Sequence, residues 1–244
     1  MAREVGRIRG ARNRAELDST RSPIPAAAGI GSGGPEAPVT LVRRFSRTER
    51  AIHWIHASAF LVLLGSGAIL YLPSLSQEVG RRPLVVDVHL YTALAWAAAL
   101  ALVVLLGDRR GLRGTVRELE LFDDDDRAWG RLRKRPQGRF NAGQKLNAVV
   151  TTAFAILLAV SGLMLWLGER FAGLRTEGAI LVHDWVTYVS LVLLAGHLYF
   201  AVLHPATRHA LRGMTLGSVD EEWARRQHAK WLDDAGGGSG TASR

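Results

Sequence analysis

Five of the eight histidines in this 244-residue chain stand inside long apolar runs. Ionisable side chains in such runs are costly and mark function. His53 and His56 open the first run, His89 lies near the start of the second, and His183 and His197 lie on the fourth. The fourteen residues from His183 to His197 make nearly four helical turns. Both side chains therefore leave one face, at levels about 21 Å apart. Neutral imidazole is a good axial ligand for haem iron. Two imidazoles at one level fill both axial positions, which favours electron transfer over chemistry on a bound small molecule. Cysteine is absent, which excludes disulfides, thiol catalysis, covalent haem attachment and an iron–sulfur cluster held by this chain. Asp87 and Asp184 adjoin histidines near the run ends, but no carboxylate lies at mid-depth. That argues against a proton-relay or ion-coupled transporter.

The elements that must position these histidines are four apolar blocks, at about 52–72, 84–106, 146–167 and 179–203. Each is long enough to cross a hydrocarbon core of about 30 Å. The mean hydropathy of only +0.08 hides them, because the rest of the chain is polar and arginine-rich. An ordinary soluble domain, a disordered chain and a coiled coil are excluded. Backbone satisfaction in lipid makes the blocks helices, so the fold class is an all-α membrane protein, a four-helix bundle. Lys and Arg number ten before residue 52, two in 72–83, eleven in 107–145, two in 168–178 (Arg170, Arg175) and six after the fourth block. The positive-inside rule then places both termini in the cytoplasm. The net charge of +9 follows this alternation and so reads as topology, with no nucleic acid as partner.

Depth decides which histidines meet. The first helix runs outward and the second and fourth run inward. His89 then shares the outer level with His183, and His53 shares the inner level with His197. The expectation is two bis-histidine b haems. His56, His204 and His209 sit at helix ends, where a polar tip reaches the head groups cheaply; His56 and His204 remain substitutes for His53 and His197. His228 falls in the C-terminal polar segment. Gly65, Gly67, Gly162 and Gly196 serve either close helix packing or room for a flat cofactor, and the sequence leaves both open.

Residues 1–40, with Pro23, Pro25, Pro35, Pro38 and the run Gly29–Gly34, are expected to be a disordered tail. Residues 41–232 form the membrane domain, and 233–244 a flexible end. Asn141 and Gln144 precede the third helix at its cytoplasmic end; Asn141 is a competent N-cap, and the two amides can also contact a quinone carbonyl. Arg43, Arg44, Arg47, Arg50 and Arg139 are topology charges or partners for haem propionates. The run Asp123–Asp126 lacks EF-hand spacing and reads as a solvated charged loop.

The sequence resembles the cytochrome b556 gamma subunits of membrane-bound respiratory formate dehydrogenases over about 42–232. The resemblance rests on Arg44-Phe45-Ser46, Ala51-Ile52-His53-Trp54, the stretch Phe140-Asn141-Ala142-Gly143-Gln144-Lys145, His183 with His197, and Gly213-Met214, Gly217-Ser218-Val219, Trp223-Ala224, His228 and Trp231. It implies two b haems on His53, His89, His183 and His197, and menaquinone reduction beside His197 at Asn141 and Gln144. It implies an iron–sulfur beta subunit and a molybdopterin catalytic alpha subunit, of selenocysteine or cysteine type, as partners in the bacterial inner membrane. No molybdenum site falls on this chain. Two departures stand out: Gln227-His228 replaces a histidine pair, and Leu90 replaces a proline. Cytochrome b subunits of nickel–iron hydrogenases have similar histidines but generally lack the Asn-Ala-Gly-Gln-Lys stretch. A haem-free anchor or transporter is the alternative of a different class.

Overall fold

The computed structural model describes residues 39–131, 135–168, 171 and 177–237. Most of the expected 1–40 tail, most of the 168–178 connection and residues 238–244 lie outside the described residues. Among those described, four helices are long and apolar enough to cross a membrane. The first is α1 (Arg47–Tyr71), followed by a short α2 (Pro73–Val79) and by α3 (Arg82–Leu106). The other long pair is α6 (Ala142–Gly168) and α7 (Glu177–Leu198). Between the pairs lie α4 (Arg109–Glu120) and α5 (Asp124–Gly130). α1 packs along α3, and α6 packs along α7.

The helices begin a few residues earlier than the apolar runs; at α1 a polar cap rather than hydropathy sets the start. Ser46 Oγ accepts from Glu49 N (3.2 Å) and Glu49 Oε2 accepts from Ser46 N (2.7 Å), a capping box at the head of α1. Pro73 and Gly80, the latter left-handed at φ 63°, bracket α2 and turn the chain into α3. A single turn of π-helix, Tyr199–Leu203, extends α7 before Pro205.

A polar end closes the bundle where α1 and α6 begin and α3 and α7 finish. Strand β1 (Leu41–Arg43) pairs antiparallel with β2 (Ser218–Asp220), with Val42 opposite Val219. β2 is flanked by α8 (Ala210–Leu216) and α9 (Glu221–Gln227), and α10 (Ala229–Gly237) follows; the expected boundary at 232 therefore falls inside a helix. Val219, Trp223 and Ala224 are the core here, covered by Val42, Ala210, Trp231 and Leu232. Gly217 has φ 92° and its carbonyl accepts from both Arg44 N (2.8 Å) and Phe45 N (3.0 Å). A Cβ there would stand 3.1 Å from the Phe45 carbonyl, so only glycine suits the turn.

The acidic run is only in part the solvated loop expected of it: Asp124 is exposed, whereas Asp123, Asp125 and Asp126 are engaged. Asp123 and Asp126 form a reciprocal cap on α5. Asp126 is buried and pairs with Lys145 at 2.5 Å, and Lys230 bridges Asp123 (2.6 Å) and Asp125 (3.0 Å). The run pins α6 and α10 to the polar end. The hydrogen-bond and ion-pair contact with Lys230 holds the Asp123 carboxyl down at about 2.

Candidate haem sites

The hairpin geometry brings four of the histidines into two pairs. His53 of α1 faces His197 of α7 near the polar end, with ring centres 6.1 Å apart. His89 of α3 faces His183 of α7 near the opposite, hairpin end, with ring centres 6.4 Å apart. An imidazole nitrogen bonds a transition metal at about 2.0–2.1 Å, and the ring centre lies about 1.1 Å behind it, so two axial imidazoles on one metal hold their ring centres about 6.3 Å apart. Both pairs match that spacing. Gly67 lies against the His89 ring and Gly162 against the His183 ring, with an added Cβ meeting Cε1 at 3.4 and 3.3 Å. These two glycines seat histidines within each hairpin, while Gly65 and Gly196 face open space. Within the apolar windows of the four spans only 11, 0, 6 and 6% of residues are buried by the chain itself. The spans therefore leave most of their apolar side chains uncovered by the chain itself.

The remaining histidines are engaged elsewhere. The His56 ring stacks on Phe60 and leans on Trp96 of α3. His204 packs against Tyr199 and Phe200, with Thr207 Oγ1 3.2 Å from Nδ1. His228 is only 2% exposed, which the reading of it as part of a polar tail missed. Its Nδ1 lies 2.7 Å from the Gly138 carbonyl and its Nε2 3.1 Å from Arg44 Nη2. The carbonyl requires a donor, so Nδ1 carries the proton and Nε2 accepts from Arg44. Burial first, and Arg44 second, push His228 down to about 4. The signal that could have found it is its place in the same C-terminal stretch as Trp223 and Trp231.

Five of the six residues of Phe140–Lys145 make specific contacts. Asn141 Oδ1 accepts from Gln144 N (2.9 Å) and Gln144 Oε1 accepts from Asn141 N (3.1 Å), so the two side-chain oxygens cap α6. Arg139 lies over the Phe140 ring at 4.7 Å. A Cβ on Gly143 would meet Trp129 at 2.8 Å, and Lys145 reaches Asp126. The amide nitrogens of Asn141 and Gln144 make no hydrogen bond among the described residues.

The arginines divide into two groups. Arg139 is a hub: it donates to Glu49 Oε1 (3.0 Å), Glu118 Oε2 (2.7 Å), Thr115 Oγ1 (2.6 Å) and the Arg44 carbonyl (3.2 Å). Arg44 is buried among Arg139, His228 and the rings of Phe45 and Trp223. Burial, then the charge of Arg139, push its guanidinium down to about 10. Arg43, Arg47 and Arg50 instead line a cavity of about 580 Å³ with Phe45 and Leu216–Ser218, and none has a carboxylate partner among the described residues. Arg50 stands three residues before His53, on the same side of α1.

Residues 44–217 match the model of the prokaryotic cytochrome b561 family. Among curated relatives, the chain is 26% identical over 202 residues to the cytochrome b556(fdo) subunit of formate dehydrogenase from Escherichia coli K12, covering 77% of this chain and 90% of that one. The cytochrome b556(Fdn) subunit of the nitrate-inducible formate dehydrogenase of the same strain is 21% identical over 203 residues, at 78% and 90% coverage. The cytochrome b556 subunit of formate dehydrogenase from Haemophilus influenzae is 21% identical over 204 residues, at 79% and 82%. With four apolar helices, two facing imidazole pairs and a family match over most of its length, this chain belongs to the prokaryotic cytochrome b561 family of multi-pass membrane haem proteins.

Proposed function

We propose that the chain is the di-haem cytochrome b membrane subunit of a formate dehydrogenase and passes electrons from an iron–sulfur partner to menaquinone. The observation that carries this reading is the two imidazole pairs at iron-bridging spacing, one toward each end of the bundle. The formate dehydrogenase part of the reading is supported by the relatives, which are cytochrome b556 subunits of formate dehydrogenases. Haem iron, when bound, supplies reversible one-electron transfer. His89 with His183, and His53 with His197, are the residues that would hold the two haem irons, and a pair of imidazoles on each would favour electron transfer over small-molecule chemistry. Arg50, with Arg43 and Arg47 beside it, is placed to pair a propionate at the polar end.

The arginine distribution supports a cytoplasmic polar end. Electrons then enter at the His89–His183 level and leave at the His53–His197 level. The free amide nitrogens of Asn141 and Gln144 lie at that same end and can donate to a quinone carbonyl while their oxygens cap the helix. The catalytic alpha and iron–sulfur beta subunits are the expected partners, in the bacterial inner membrane.

Two measurements test this reading. A pyridine haemochrome assay on the purified protein is expected to give two b haems per chain; one or none overturns it. Asn141→Ala and Gln144→Ala are expected to retain both haems and to slow reoxidation by menaquinone per mole of haem. Unchanged turnover in both removes the amides from the quinone site and leaves them as caps, worth about 1 kcal/mol.

A further inference from the structure

Each hairpin carries a serine–glycine pair that faces a histidine of the neighbouring helix. Ser66 Oγ lies 2.9 Å from His89 Nδ1, and Ser161 Oγ lies 3.0 Å from His183 Nδ1. Both hydroxyls also bond their own helices, Ser66 to the Val62 carbonyl at 2.8 Å and Ser161 to the Leu157 carbonyl at 2.7 Å. A hydroxyl owns one hydrogen. A carbonyl can only accept, so that hydrogen goes to the helix and the serine oxygen has lone pairs alone to offer the ring. Nδ1 must then be the donor. A neutral imidazole carries one N–H, so Nε2 is left with its lone pair.

The glycine of each pair completes the seat. Gly67 and Gly162 let the ring edges approach their helices, within 3.4 and 3.3 Å of where a Cβ would stand. Nothing equivalent supports the other pair: the His53 and His197 rings make no hydrogen bond among the described residues, and His53 meets the Trp54 ring edge-on.

We propose that Ser66 and Ser161 are positioning residues that hold His89 and His183 as Nδ1–H tautomers and, by accepting from both, make the hairpin-end haem harder to reduce than the polar-end haem. The inference rests on the di-haem reading above. Its chemistry is that of an outer hydrogen bond that raises ligand basicity and so favours ferric iron. Both axial ligands are affected at one site and neither at the other. An electron that enters at the hairpin end then moves to the haem with the greater affinity for it.

The test is an anaerobic redox titration of the purified complex, followed in the reduced alpha band. It is run on the full chain and on His53→Ala, which isolates the hairpin-end haem. Ser66→Ala and Ser161→Ala are each expected to raise that haem's reduced-to-oxidised ratio, at fixed ambient potential, by about three- to tenfold. The polar-end haem is expected to stay in place, and serine-to-threonine variants to restore the original titration. Loss of the hairpin-end haem from the alanine double variant, reversed by threonine, also supports the proposal. Loss that threonine does not reverse, or an unshifted titration with both haems bound, overturns it. A wild-type protein without two haems overturns the underlying reading instead, and the haemochrome assay detects that first.

Discussion

The polar end and the membrane spans of this chain are built on opposite terms. At the polar end, Val219, Trp223, Ala224, Arg44 and His228 are each 5% exposed or less. Ion pairs and caps tie the start of α1, the start of α6 and the C-terminal helices together. In the spans, the chain buries at most about a tenth of each apolar window, and the two hairpins meet at paired imidazoles. The difference separates two jobs. The polar end holds the helices in register through contacts it supplies itself. The spans leave most of their apolar side chains to the surroundings and bring the imidazoles together in two pairs. Loss of the cofactor and loss of the clasp should therefore be separable events.

The largest effect is expected from the spans. His197→Ala should remove the polar-end haem, keep the hairpin-end haem and abolish quinone reduction, whereas His56→Ala should keep both, because its ring packs on Phe60 and Trp96. Haem counts and oxidised-minus-reduced spectra on the two proteins decide this. If His56→Ala loses a haem and His197→Ala does not, the pairing assigned here is wrong.

Arg139→Met breaks the clasp instead. It strips Glu49, whose side chain is 10% exposed, of its cation, and removing one partner of a buried pair costs about 3–5 kcal/mol. Faster protease cleavage near residues 131–141 is expected, together with a lower melting midpoint. The haems should persist in whatever fraction assembles. Equal loss of haem and clasp would show that the two regions are not separable.

A smaller effect concerns pH. His228 sits at about 4 in the folded clasp against an ordinary value near 6.5. The unfolded chain binds the proton first, so stability from this group is complete above about pH 6.5 and declines as pH falls toward about 4. Asp123, held at about 2, stays ionised throughout this window. Protection of the C-terminal helices from protease should fall between those pH values, and the pH dependence should flatten in His228→Gln.

The spans and the histidine levels were legible because a helix converts sequence spacing into depth. A rise of about 1.5 Å per residue, with alternating direction through the membrane, is enough to place His89 with His183 and His53 with His197. The polar end was not legible for the opposite reason. Arg44 meets His228 across 184 residues and Arg139 across 95, and no local period encodes such a meeting. Asp123–Asp126 looked solvated because its cations, Lys145 and Lys230, come from 19 and 107 residues away. Asn141 was legible as an N-cap from its place before the third helix, yet only the folded chain shows that the oxygens of both Asn141 and Gln144 are committed to the cap.

The sequence by itself determined the four apolar helices, the absence of thiol chemistry and the spacing that makes histidine pairs possible. These follow from composition and from one-dimensional helix geometry. Only the tertiary structure decided that His89 and His183 are tethered through Nδ1, which arginines are locked in ion pairs and which line the polar-end cavity, and that His228 is core. Those outcomes depend on what the rest of the chain brings within about 3 Å, the range at which hydrogen bonds form.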